Sequence, residues 1–182
     1  MVDQVVPHLL TYPRSGSHYF DDTLYKQEKI HFTKGHYIES LFDKNNNKIK
    51  PIITIARDPI DSICSYLSLY QNLDVSRDDY TVIENITNYI LMYSFLCENA
   101  DYVIDFNDLI KYPELVIKKV LESLNIDKDK YYFFNQNFMP KYKNFIPSSK
   151  SLPRYRNDFL DDFNTDICYF YYHKLLEKKI II

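Results

Sequence analysis

Gly16 sits in the run Thr11-Tyr12-Pro13-Arg14-Ser15-Gly16-Ser17-His18-Tyr19 and Gly35 in Thr33-Lys34-Gly35-His36; the 182 residues contain no other glycine. A chain this sparing places glycine where the backbone needs positive φ or where a ligand approaches the main chain closely. Between an expected strand and an expected helix, residues 13–17 read as an anion cradle. Unpaired N–H groups, the hydroxyls of Ser15 and Ser17 and the guanidinium of Arg14 supply its donors. It lacks the G-x-x-x-x-G-K-[ST] pattern of a Walker A loop and suits one terminal anionic group. A second stretch, Arg57-Asp58-Pro59-Ile60-Asp61-Ser62-Ile63-Cys64-Ser65-Tyr66, puts an arginine at a strand's carboxyl end and a serine two turns into the next helix. Arg57 and Ser65 can then converge on one phosphate. In the third, Lys34-Gly35-His36, a histidine can take a proton from a hydroxyl while the lysine stabilises charge at the reacting centre. Each stretch also has a plain structural reading: a turn capped by Ser17, a surface Arg57 paired with Asp58 or Asp61, a solvated turn at Gly35-His36.

The elements that must position these residues follow from the apolar pattern. Residues 5–11 read as a buried strand, 17–27 as a helix and 30–33 as a short second strand ending at Lys34-Gly35-His36. Residues 43–50 form a polar Asn/Lys loop. Ile52-Ile53-Thr54-Ile55-Ala56 is continuously apolar and β-branched, the pattern of a central parallel strand. Asp58 caps the helix that follows, with Pro59 at its first position. That helix spans 61–71 and turns Ile60, Ile63, Cys64, Leu67 and Tyr70 inward. A longer helix at 80–98 buries Ile83, Ile86, Ile90, Tyr93 and Leu96 or Cys97. Residues 102–106 read as a strand, 115–124 as a helix opened by Pro113, and 163–178 as the last helix. The basic, proline-punctuated stretch at 141–157 reads as a loop or flap, and 131–138 is ambiguous. Strands alternating with helices predict an α/β fold, a mainly parallel central sheet flanked by helices, in a single domain over 1–182 with a flexible flap at 140–160.

Composition narrows the function. A hydrophobic content of 46% with 18 tyrosines argues against disorder, and a formal charge of −3 gives no basic footprint for nucleic acid. Cys64, Cys97 and Cys168 are widely spaced, with no C-x-x-C pair, so neither a zinc ribbon nor a disulfide framework is expected. The ligand spacing suggests no metal. No basic n-region precedes a long apolar run, and no run approaches the ~20 residues of a membrane span. A cytoplasmic, soluble protein is the expectation, with oligomeric state left open.

In order and context the three stretches resemble the sulfotransferases that use 3′-phosphoadenosine 5′-phosphosulfate (PAPS). Residues 11–19 look like the family's 5′-phosphosulfate loop, usually T-Y-P-K-S-G-T-x-W, and Arg57-Asp58-Pro59-x-Asp61-x-x-x-Ser65-Tyr66 looks like its 3′-phosphate motif. Thr33-Lys34-Gly35-His36 lies where the family has a K-T-H segment. Residues 103–109 with Tyr112-Pro113 resemble its "Y-E-D-L…D-P" stretch. The resemblance covers about residues 5–125 and implies a P-loop-like fold. It implies that Arg14, Ser15, Gly16, Ser17 and His18 cradle the 5′-phosphosulfate and that Arg57 and Ser65 hold the 3′-phosphate. Tyr19 and Phe106 would pack on adenine, His36 would be the general base, and Lys34 and Arg14 would stabilise the sulfuryl group. Three features depart from the family: Arg14 replaces the commoner lysine, the C-terminal R-K-G…G-x-W-K signature is missing, and the chain is short. A guanidinium keeps charge and bidentate donors but is too basic to give a proton to the leaving oxygen. Lys150, Arg154 and Arg156 would supply the missing C-terminal charge.

The resulting expectation is metal-free transfer of a sulfuryl group from PAPS to a hydroxyl acceptor of open class, leaving 3′,5′-adenosine bisphosphate (PAP). A non-catalytic PAP-binding module of the same fold and a small-molecule P-loop-like kinase are the alternatives.

Overall fold

The computed structural model describes residues 7–17, 20, 32–42, 48–71, 79–125 and 163–180. Four parallel strands form its sheet: β1 (His8–Leu10), β2 (Thr33–Gly35), β3 (Ile52–Ala56) and β4 (Tyr102–Asp105), in the order β2-β1-β3-β4. The described helices are α1 (Pro59–Gln71), α2 (Asp79–Asn99), α3 (Phe106–Lys111), α4 (Pro113–Ser123) and α5 (Asp166–Leu176), with a 3₁₀ turn at Ile38–Leu41. This is an α/β fold, as the alternation of elements predicts.

Alternate residues of each strand feed opposite faces, because successive side chains of a strand point to opposite sides. Leu9, Ile53, Ile55 and Ile104 pack with Phe106 and Leu109 of α3 and with Val116, Ile117 and Val120 of α4. Leu10, Ile52, Ala56 and Val103 pack on the other face against α1, α2 and α5. All five β3 residues are fully buried, and that double burial is why the strand lacks a polar alternation. Residues after α5 return to the sheet: Lys179 bridges Val103 in parallel, and its ammonium spans Asp105 (3.3 Å) and Asp108 (3.2 Å).

Several element boundaries differ from expectation. The second strand, expected at 30–33, is described at Thr33–Gly35, with 30 and 31 outside the described residues; Lys34 and Gly35 therefore belong to the sheet, in register with Leu9 and Leu10. Phe106 is not the last residue of β4 but the first of α3, because Asp105 caps that helix by accepting from the Asn107 N–H (2.9 Å). On α2, Ile83 is half exposed, and Tyr89 and Met92 are buried instead. Stacking of Tyr89 on Tyr93, at 3.9 Å between ring centres, sets the inward stripe. Helix α1 begins at Pro59, with Asp58 Oδ1 accepting from the Asp61 N–H (3.0 Å) as expected of the cap. All three cysteines are buried free thiols; burial raises Cys97 and pushes Cys168 up to about 11, so both stay protonated and inert near neutral pH. None of the described helices is long and apolar enough to cross a membrane. The expectations for 17–27 beyond Ser17 and Phe20, for 131–138 and for the flap at 140–160 lie outside the described residues, as does 43–47 of the polar loop.

Candidate anion and nucleotide site

Strand order places the site. From β1 the chain runs to β2 on one side and later to β3 on the other, so the β1/β3 boundary is the sheet's topological switch point. Open α/β sheets bind ligands outside the carboxyl ends of the strands at such a point. The loops leaving these two strands are residues 11–17 and Arg57-Asp58. Two stretches 40 residues apart in sequence are therefore adjacent.

The loop's backbone is unusual in the way its sequence implies. Gly16 has φ +94°, and Arg14 has φ +68°, a conformation that costs a residue with a Cβ about 1–2 kcal/mol. Backbone of this kind turns successive N–H groups into a concavity suited to an anion. Ser15 N–H donates to Tyr12 O (3.2 Å), closing the turn, and Phe20 N–H donates to Gly16 O (3.0 Å) at helical spacing. Under Gly16 lies the ring of Phe106: a Cβ there would sit 2.9 Å from two of its carbons.

Arg57 locks this loop. Its Nη1 donates to Arg14 O (2.6 Å), and its guanidinium lies over the Phe106 ring, 4.5 Å from the centre. Only 5% of Arg57 is exposed, and its Nε has no partner among the described residues. Burial lowers the Arg57 pKa and Arg14 lowers it further, against the opposing pull of Asp61, Tyr93 and Asp58. An arginine nonetheless stays charged. A buried cation with an unfilled donor is costly unless an anion completes it. Tyr93 and Tyr89 fix its main chain: Arg57 N–H donates to Tyr93 Oη (2.9 Å), and Tyr89 Oη donates to Arg57 O (3.0 Å). Ser15 Oγ is buried and has no hydrogen-bond partner among the described residues. Arg14 is exposed, and its Nε donates to Ser65 Oγ (3.2 Å). Arg14, Arg57 and Ser65 thus form one connected group.

His36 follows β2 directly. Its Nδ1–H donates to Thr11 O (3.0 Å), and Thr11 Oγ1 lies at 3.4 Å from the same nitrogen. With Nδ1 as donor, the lone pair of the neutral ring is on Nε2. Gly35 is required by contact, since a Cβ there would lie 1.7 Å from Ser40 Oγ. Ser40 Oγ donates to Tyr37 O (2.6 Å) and lies 3.1 Å from Nε2 of buried His8, whose Nδ1 is 2.7 Å from Thr33 Oγ1. That chain pins the turn carrying His36 against β1. His36 also lines a cavity of about 400 Å³ that shares Tyr12 and Pro13 with the loop.

The structure therefore brings together Arg14, Ser15, Gly16, Ser17, Arg57, Ser65 and Phe106, with His36 just after β2 and bonded to Thr11 at the start of the loop; Lys34 lies within β2, opposite Leu9. Phe106 is buried as the support beneath Gly16 and Arg57. His18, Tyr19, Lys150, Arg154 and Arg156 lie outside the described residues. Sequence reasoning missed Tyr89 and Tyr93 as anchors of Arg57, and it missed the cavity wall. The signal for that wall was the polar series Thr81, Glu84, Asn85 and Asn88 at helical spacing in α2. No family model, curated protein or solved structure matches this chain.

Proposed function

We propose that the protein is a PAPS-dependent sulfotransferase of P-loop-like architecture that transfers a sulfuryl group to a hydroxyl acceptor. One observation carries the reading: buried Arg57, its Nε without a partner among the described residues, is bonded through Nη1 to the positive-φ loop at the sheet's switch point, and the start of that loop holds a histidine with its acceptor nitrogen left for chemistry. The donor set fits a nucleotide with two separated anionic groups. Loop N–H groups, Ser15 and Ser17 suit the 5′ end; Arg57 and Ser65 suit the 3′-phosphate, with Arg14 between them. PAPS, when bound, supplies the activated sulfuryl group on a phosphosulfate anhydride.

His36 Nε2 takes the proton of the acceptor hydroxyl, and Thr11 O keeps the ring in the required tautomer. Arg14, Lys34 and the loop N–H groups carry fixed positive potential toward the reacting group, so little reorganisation is needed when charge develops. Arg57 holds the Arg14 carbonyl and with it the shape of the loop.

Calorimetric titration with PAP, free of metal, against Mg²⁺-ATP tests the reading on wild type and Arg57→Ala. The expected result is PAP binding that weakens by about ten- to a hundredfold in Arg57→Ala, the worth of a lost charge-assisted contact. With an acceptor present, His36→Ala is expected to lose about 10²–10⁴ in rate with PAP affinity retained. Absence of PAP binding, or preference for Mg²⁺-ATP, overturns the proposal. PAP binding without transfer to any acceptor reduces it to a non-catalytic nucleotide module.

A further inference from the structure

The cavity beside His36 has a charge pattern opposite to that of the loop it adjoins. Arg14 and Arg57 stand on the loop side and neither lines the cavity; the described lining contains Glu39 and Glu84 but no lysine or arginine. Tyr12 and Pro13 form the shared wall, so the two regions meet across two residues. Resting on the sulfotransferase reading, we infer that this cavity is the acceptor subsite and that it selects a small cationic alcohol or phenol, an acceptor with an ammonium group as well as its hydroxyl.

The individual groups support a cation over a neutral or anionic molecule. Asn85 is already committed: its Nδ2 donates to Thr81 O (2.7 Å), and Tyr12 Oη, 3.3 Å from its Oδ1, turns toward it. Recognition then falls to Glu84 and Asn88, both exposed on the same stripe of α2, and to Glu39 from the facing turn. Three tyrosines complete the wall. Tyr66 meets Tyr12 edge to face at 6.1 Å, and Tyr37 is 67% exposed, leaving its ring open to a ligand. Aromatic faces with nearby carboxylates attract ammonium groups through the ring quadrupole and direct Coulomb interaction. A carboxylated or phosphorylated acceptor would face Glu39 and Glu84 with no compensating cation in the described lining, a repulsion that acts as selectivity. The volume is within the range that encloses a small ligand.

The reaction balances without a further reagent. The acceptor O–H proton goes to His36 Nε2, the acceptor oxygen forms the new O–S bond, and the bridging S–O bond breaks to leave PAP. The ammonium group takes no part and serves only for binding.

Two matched series on the full-length protein test the inference: choline, its uncharged isostere dimethylbutanol, and hydroxybutyrate; then tyramine, tyrosol and hydroxyphenylacetate. Acceptor binding is read by saturation-transfer NMR with and without PAP, and transfer by PAP release. The cationic member is expected to exceed its neutral partner by about tenfold in kcat/KM in at least one series, and the anionic member to be the poorest. In Glu39→Gln/Glu84→Gln, two exposed positions where glutamine keeps shape, that preference should collapse toward equality while PAP affinity stays the same. The inference is overturned if the neutral or anionic member matches the cation in both series, if the double variant keeps the preference, or if no member binds a protein that binds PAP. Binding of the cation to a protein that does not bind PAP separates the outcomes: the cavity's selectivity stands and the sulfotransferase reading falls.

Discussion

Replacing Gly16 with alanine probes the loop at its most constrained point. Two costs are separable in the structure. The first is backbone strain: φ is +94°, and a residue with a Cβ in this region pays about 1–2 kcal/mol. The second is overpacking, because the new methyl would lie 2.9 Å from both Cδ2 and Cε2 of Phe106. That ring is buried and carries the Arg57 guanidinium on its face, so it cannot swing away freely. Overpacking of this kind costs about 1–3 kcal/mol, giving about 2–5 kcal/mol in total. In urea, with a slope of about 2 kcal/mol/M, the unfolding midpoint should fall by about 1–2.5 M. A double-mutant cycle with Phe106→Leu apportions the two costs. Against the Phe106→Leu background, Gly16→Ala should cost only the strain, since the ring that clashes is gone. Unfolding of Gly16→Ala within about 0.5 kcal/mol of wild type, the range of an ordinary surface substitution, would rule out both costs. Recovery of nothing by Phe106→Leu would rule out the overpacking.

Gly35→Ala should behave differently, because its cost is contact alone: the Cβ would lie 1.7 Å from Ser40 Oγ and 2.4 Å from Ser40 Cβ, a loss of about 3 kcal/mol or more in urea denaturation. Adding Ser40→Gly should restore most of that loss, whereas no second change should cancel the strain at Gly16. Stability should also fall on mild acidification, since burial holds the His8 pKa below the ordinary value of 6.5 and the unfolded chain takes up its proton first. The contribution is fully present above that ordinary value and is lost as pH drops through it toward the folded pKa. Thermal melts across this window should show a flatter profile for His8→Gln, and an unchanged profile would remove His8 as the cause.

Some of this architecture is local and was therefore readable. Ile52-Ile53-Thr54-Ile55-Ala56 forms β3 as expected because five β-branched or apolar residues between Pro51 and the Arg57-Asp58-Pro59 stop are too few for a helix and suit a strand buried on both faces. Asp58-Pro59 starts α1 for reasons contained in two side chains, a capping carboxylate and a ring that suits the first helical turn. The scarcity of glycine pointed to both places where the backbone or a neighbour excludes a Cβ. Phe106 was misplaced by one element, because its apolarity continues the strand while the carboxylate before it starts a helix.

Composition, spacing and capping along the chain make the α/β class legible, together with the loop's two hydroxyls and guanidinium and the capped start of α1. Tertiary packing sets the strand order that makes β1/β3 the switch point, the pairing that draws Lys34 into the sheet, and the bond from Arg57 to the Arg14 carbonyl. It alone chose which stripe of α2 is buried: Tyr89-Ile90-Leu91-Met92-Tyr93 is continuously apolar and encodes no single inward face until Tyr89 and Tyr93 find the Arg57 main chain. It alone set Glu39 and Glu84 across one cavity from residues 45 positions apart. Parallel pairing and cavity walls join segments distant in the chain, and no periodicity within either segment encodes which partner it will meet.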